Sequence, residues 1–125
     1  MEHSTMSLEG LKRTKKGWLI WYRIFKKRHQ NTKNLLKEEE KPWEVMSLLT
    51  AYAFCLNRVE RIIDIYSDLI NKAELNDLSD REFRTQIFNA KKLNREIKDE
   101  LDRPKNRELA NKYFGKEEKG NAFNL

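Results

Sequence analysis

Val45, Leu49, Tyr52, Leu56, Val59, Ile63, Tyr66 and Ile70 recur at spacings of 4, 3, 4, 3, 4, 3 and 4. Only an α-helix brings positions so spaced onto one face, and a seam sustained over nearly four heptads has to be covered by other helices. Leu48, Cys55, Ile62 and Leu69, each seven residues from the next, widen the seam on one side. A stripe that broad serves more than one neighbour. Pro42 suits the first turn of this helix, which is expected to run to about Ala73 and to measure on the order of 50 Å.

A matching seam follows a loop at residues 74–78. Ser79, Asp80, Arg81 and Glu82 read as a capping box, in which the Ser hydroxyl and the Glu carboxylate each satisfy an orphan backbone donor. Phe83, Ile87, Ala90, Asn94, Ile97 and Leu101 then step by 4, 3, 4, 3 and 4. Two seamed helices joined by a short loop form an antiparallel hairpin. Asn94 on the seam costs stability and can fix register. Pro104 interrupts this helix, Arg107 to Phe114 suggest a short additional one, and Gly115 reads as its stop.

The hairpin needs a third wall, and residues 7 to 39 supply an amphipathic candidate, with Ser7 as its cap and Gly17 as a weak point costing about 1 kcal/mol against Ala. Four Gly and two Pro in 125 residues are too few for many short strands, and the lone Cys55 excludes an intrachain disulfide. The expected fold is all-α: an antiparallel bundle of three long helices plus a short fourth C-terminal helix, coiled-coil-like in its seams. Its apolar stripes are wide enough for self-association. Residues 1–115 are read as one domain and residues 116–125 as a flexible tail.

Charge gives the strongest pointer to a partner. Residues 11–37 hold ten Lys/Arg and no Asp or Glu, whereas the other sixteen Lys/Arg are outnumbered by twenty acids. Stepping about 100° per residue places Trp18, Trp21, Tyr22, Phe25, Leu36 and Leu11 on one side of the helix. Lys12, Lys15, Lys16, Arg23, Lys26, Lys27, Lys33 and Lys37 fall together on another, with Arg13 and Arg28 off the stripe and Leu19 an exposed exception within it. The aromatics are therefore expected to pack on the other helices rather than stack on bases. Like charges four apart repel by a few tenths of a kcal/mol, so the benefit of the stripe lies outside the helix.

A polyphosphate backbone matches such a stripe, and Lys12, Lys15, Lys16, Arg23, Lys26, Lys27 and Lys33 are the candidate nucleic-acid contacts. An acidic protein surface is the alternative partner and an anionic membrane surface a third, since a basic face opposite Trp and Leu also marks interfacial helices.

Chemistry-bearing constellations are sparse. His3 and His29 have no Cys, His or carboxylate cluster at metal-ligand spacing, and Cys55 sits on the seam as a small apolar group. Glu60, Asp64 and Asp68 form an acidic ridge on the second helix, read as solvated or as a docking face for another copy's bases. No Gly-rich phosphate loop, nucleophile elbow or zinc spacing occurs. The expectation is a non-enzymatic protein without metal or cofactor. No secretory leader or membrane span is read, which with the single cysteine leads to a cytoplasmic expectation. The small, Lys/Asn-rich chain suits an accessory or inhibitor protein of a phage or plasmid.

Overall fold

Short-range signals start and stop each helix. The computed structural model describes residues 7–38, 40 and 42–115. Among these, α1 (Leu8–Leu36), α2 (Pro42–Glu74), α3 (Asp80–Asp102) and α4 (Pro104–Phe114) are the ordered elements, and no strand occurs. The Ser7 hydroxyl accepts from the Gly10 N–H at 3.0 Å and the Ser79 hydroxyl from the Glu82 N–H at 3.1 Å, satisfying donors that a first helical turn leaves orphaned. The Glu82 carboxylate, expected to reach back to Ser79, is turned instead to the Lys72 ammonium across the hairpin.

α1 ends at Leu36, before the acidic run at residues 38–40, as the helix dipole favours. At the far end of α2, Asn76 takes a left-handed conformation (φ 54°), and the Asp77 N–H bonds the Lys72 carbonyl at 2.8 Å. This is a Schellman stop with Asn in the position usually held by Gly. Pro104 begins α4 rather than merely ending α3, so the fourth helix starts three residues earlier than its apolar pattern suggested. Its missing N–H and fixed φ fit that first position. Gly115 closes α4 at φ 82°, with its N–H on the Asn111 carbonyl at 3.0 Å.

α1, α2 and α3 run antiparallel in turn, and α4 continues the direction of α3. Lys12 near the start of α1 reaches Glu74 at the end of α2, and Arg58 in mid-α2 bonds Glu96 in mid-α3 at 3.2 Å. Lys112 and Tyr113 near the end of α4 converge on Glu44 at the start of α2, at 2.7 and 3.2 Å. A carboxylate there also meets the positive end of the α2 dipole. α3 and α4 thus form one kinked wall along α2, joined where the buried Asn106 amide donates to the Glu100 carbonyl at 2.7 Å.

α2 is the central helix: backbone contact is extensive with α1 and α3 and slighter between α4 and its neighbours α2 and α3. Its fully covered line is Leu48, Tyr52, Cys55, Val59, Ile62, Tyr66 and Leu69, while Leu49, Leu56 and Ile63 are only half-buried. The centre of the seam is therefore the flank that sequence spacing treated as a widening, because neighbours on both sides pull the buried arc toward it. Leu11 and Phe25 of α1 and Phe83, Leu93 and Ile97 of α3 join the same cluster. Burial of each such large side chain contributes about 1.5–3 kcal/mol. In α3, Leu93 is buried although it lies off the expected seam, and Asn94 is half-buried with its Oδ1 lacking a hydrogen-bond partner among the described residues. The C-terminal segment read as a tail and His3 lie outside the described residues.

Candidate functional site

α1 passes unbroken through Gly17, where an added Cβ would meet nothing within 4 Å, so the cations keep a single register along the helix. From Lys12 to Lys33 the stripe spans about 32 Å at 1.5 Å per residue, close to the rise of one duplex turn, about 34 Å. Phe25 is buried, and Trp18, Trp21 and Tyr22 are half-buried against the core. Trp21 and Phe25 lie ring to ring at 5.7 Å. The aromatic face of α1 thus turns to the core, as expected, with Trp18 and Trp21 keeping one edge on an open depression beside Thr14 and Gly17.

The seven candidate cations do not share one environment. Lys12 lies 3.4 Å from the Glu74 carboxylate, both groups about half exposed, a pairing that contributes little in water. Lys12, Lys15 and Lys16 converge with Arg13 around an open depression of about 520 Å³ floored by Leu19 and Ile70 and rimmed by Glu9. Lys15 is half-buried there. The Lys26 ammonium sits 5.6 Å from the centre of the Tyr22 ring, a cation–π contact within its own helix. Lys16, Arg23, Lys27 and Lys33 are exposed. Among the described residues no carboxylate lies within 4 Å of Lys15, Lys16, Arg23, Lys26, Lys27 or Lys33.

Leu19, expected to be exposed, is half-buried at the junction with α2, where Tyr22, Ile63, Glu60 and Asp64 complete a shallow groove. The acidic ridge therefore lies beside the chain's own cationic stripe. Asp68 is instead held 3.4 Å from Lys72 within α2. Lys15, Lys26 and Lys33 lie toward this acidic bank on the helical wheel, and Lys16, Arg23 and Lys27 on the flank away from it. His29, half-buried on α1, has its pKa lowered by burial first and then by the Lys33 charge. Desolvation and positive potential both disfavour the imidazolium.

Arg28 departs most from its surroundings in sequence. It is 8 % exposed, with its guanidinium carbon 4.1 Å from the centre of the Phe114 ring and 5.9 Å from that of Tyr52. It also donates to the Tyr52 hydroxyl at 3.4 Å. It locks α1, α2 and α4 together and is no part of the cationic surface. Its signal was available: on the wheel it falls next to Trp21, away from the stripe.

Sequence reasoning missed a second cationic surface on the outer side of α3. Phe83 to Arg95 hold Arg84, Lys91, Lys92 and Arg95 without an acid. All four are exposed, and among them Phe88 is 68 % exposed. The charge pattern that drew notice to residues 11–37 is present here on a smaller scale.

Cys55 is fully buried beside Glu100, and burial pushes its thiol up to about 12. Such a thiol is inert as a nucleophile at neutral pH. Among the described residues no three His, Cys, Asp or Glu side chains gather as metal ligands, and no helix is long and apolar enough to cross a membrane. No family model, curated protein or solved structure matches the chain.

Proposed function

We propose that this chain is a small non-catalytic nucleic-acid-binding accessory protein that holds phosphate backbones on the cationic stripe of α1. The observation that carries the reading is the row of exposed cations Lys16, Arg23, Lys27 and Lys33, which no carboxylate of the described residues neutralises. Lys12 and Lys15 extend the row at its N-terminal end, and Lys26 joins it once released from Tyr22. Glu60 and Asp64 repel a polyanion from the α2 bank, so the backbone tracks the outer flank of α1. Such contacts read charge and not sequence. An accessory role in a phage or plasmid, in a cytoplasmic setting, fits the size and composition.

Occupation of the Trp18, Trp21 and Phe25 face by the core argues against a membrane-surface helix, which would need that face free. Exposed Trp43 and Met46 at the start of α2 favour a second reading, docking on an acidic partner protein with an added apolar contact.

Salt separates the two readings. Replacing Lys16, Arg23 and Lys27 by Glu is expected to abolish binding to labelled duplex in fluorescence anisotropy at low salt. Native affinity is expected to fall steeply with salt, by about 0.9 in the log–log slope per phosphate contacted. Absence of a complex between the native chain and either duplex or single-stranded probes at low salt overturns the reading.

A further inference from the structure

We infer that the outer face of α3 is a second, separate nucleic-acid contact, which accepts an unpaired base on the Phe88 ring and its flanking phosphates on Arg84, Lys91, Lys92 and Arg95. α3 buries Phe83, Ala90, Leu93, Ile97 and Leu101 in the core. Phe88 lies well away from that arc and is 68 % exposed. On a helix surface, residues three and four apart are neighbours, about 5–6 Å between Cβ atoms. Arg84, Lys91 and Lys92 therefore surround the ring, and Arg95 stands one turn further on.

Packing explains neither the ring nor the cations. A phenyl group at a solvated helix position has lower helix propensity than Lys, Gln or Ala. Lys91 and Arg95 repel at i,i+4. Among the described residues, none of the four cations has a carboxylate within 4 Å. Two other rings are covered by guanidinium groups, with Arg58 lying 3.6 Å from the centre of Phe54 and Arg28 over Phe114. Trp43 at the start of α2 is exposed like Phe88 but has no such set of cations around it in the sequence. No cation of the described residues covers Phe88.

A free aromatic face ringed by cations is the arrangement that single strands recognise, since every unstacked base offers a π-face between two phosphates. A duplex hides its bases within the stack and cannot use the ring. An acidic protein surface would satisfy the cations but would use the phenyl only by adding an apolar group of its own, whereas a single strand supplies a π-face and phosphates together. Lys92 stands at the edge of a polar groove between α2 and α3 whose lining includes the acids Asp64 and Glu96 beside Arg58 and Arg61, so the strand is expected to stay on the outer face of α3 rather than enter that groove.

The test compares Phe88→Ala, Phe88→Leu and Phe88→Trp with the native chain by anisotropy on a labelled oligothymidylate of about twelve residues and a duplex of about twenty base pairs. Phe88→Ala and Phe88→Leu are expected to lose about 5- to 150-fold in affinity for the single strand and to leave duplex affinity unchanged, while Phe88→Trp retains both. Coincident melting curves confirm that the fold is intact. Single-strand affinity unchanged in Phe88→Leu overturns the proposal, as does equal competition by polyglutamate. The Lys16/Arg23/Lys27→Glu variant of α1 keeps the two readings apart: if it loses duplex but still discriminates Phe88 variants on the single strand, the α3 site stands alone.

Discussion

α1 and the outer side of α3 both combine cations with aromatic rings, and they dispose of the rings in opposite ways. On α1 the rings face the core, so the exposed flank offers its cations without a free ring, and the exposed apolar group among them is the aliphatic Ile20. On α3 the core arc is filled by Phe83, Ala90, Leu93 and Ile97, and Phe88 is stranded among Arg84, Lys91 and Lys92. Composition alone cannot tell these cases apart. What separates them is angle, since a ring about 170° from the centre of the buried arc, as Phe88 is, cannot reach the core. Acids border both surfaces: Glu60 and Asp64 flank the α1 stripe, and Asp64 with Glu96, the latter engaged with Arg58, lines the groove beside Lys92.

The sharpest way to break this contrast is to delete one ring from each region. Phe25, 1 % exposed, packs with Trp21, and Phe25→Ala is expected to cost about 3–5 kcal/mol in urea unfolding. Phe88→Ala is expected to change stability by less than about 0.5 kcal/mol, as is usual for a surface site. Similar losses at the two positions would mean that Phe88 has a structural partner, and the α3 surface would then need another explanation.

Spacing and punctuation made most of the fold legible. Ser7, Ser79, Pro42 and Gly115 mark helix ends at or beside the observed ones, because caps act through bonds within a single turn. The seams of α2 and α3 were legible in period but shifted in phase. Period belongs to one helix, whereas phase depends on where its neighbours sit, which explains the half-burial of Leu49 and Ile63 and the burial of Leu93. Glu82 escaped prediction for a similar reason: Lys72, ten residues earlier, reaches it only once the hairpin is closed. The stripe on α1 was readable because charge and periodicity coincide there. The smaller α3 surface was hidden because its seam drew the eye to Ile87 and away from Phe88, its sequence neighbour.

Arg28 supplies the next test, smaller in size. It is the α1 cation that behaves in reverse to the α3 cluster, with its guanidinium already placed on a ring inside the protein. Arg28→Ala is expected to destabilise the fold by about 2 kcal/mol, a desolvated cation–π contact plus lost stem packing. It should leave the affinity for duplex within twofold, measured at a temperature where the variant is folded. Arg28→Lys is expected to recover only part of the stability, since an ammonium does not stack as a planar guanidinium does. A large loss of duplex affinity in the folded Arg28→Ala chain that Arg28→Lys restores would show that the charge contributes to binding from within.

The smallest expected effect reports most directly on which surface is occupied. Burial and Lys33 lower the pKa of His29 below its ordinary 6.5. Between that value and the lower folded value the unfolded chain binds more protons than the folded one, so stability is complete above 6.5 and declines as the pH falls through the window. His29→Gln should flatten this part of the pH dependence in urea titrations held above the carboxylate range. The same imidazole is a sensor of nearby charge, because phosphates seated on Lys33 would offset the potential that disfavours its protonation. Proton NMR of His29, assigned with the Gln variant, should therefore show its pKa rising when duplex is added. A single strand held only on α3 should leave that pKa unmoved. A rise with the single strand and none with the duplex would invert the assignment of the two surfaces.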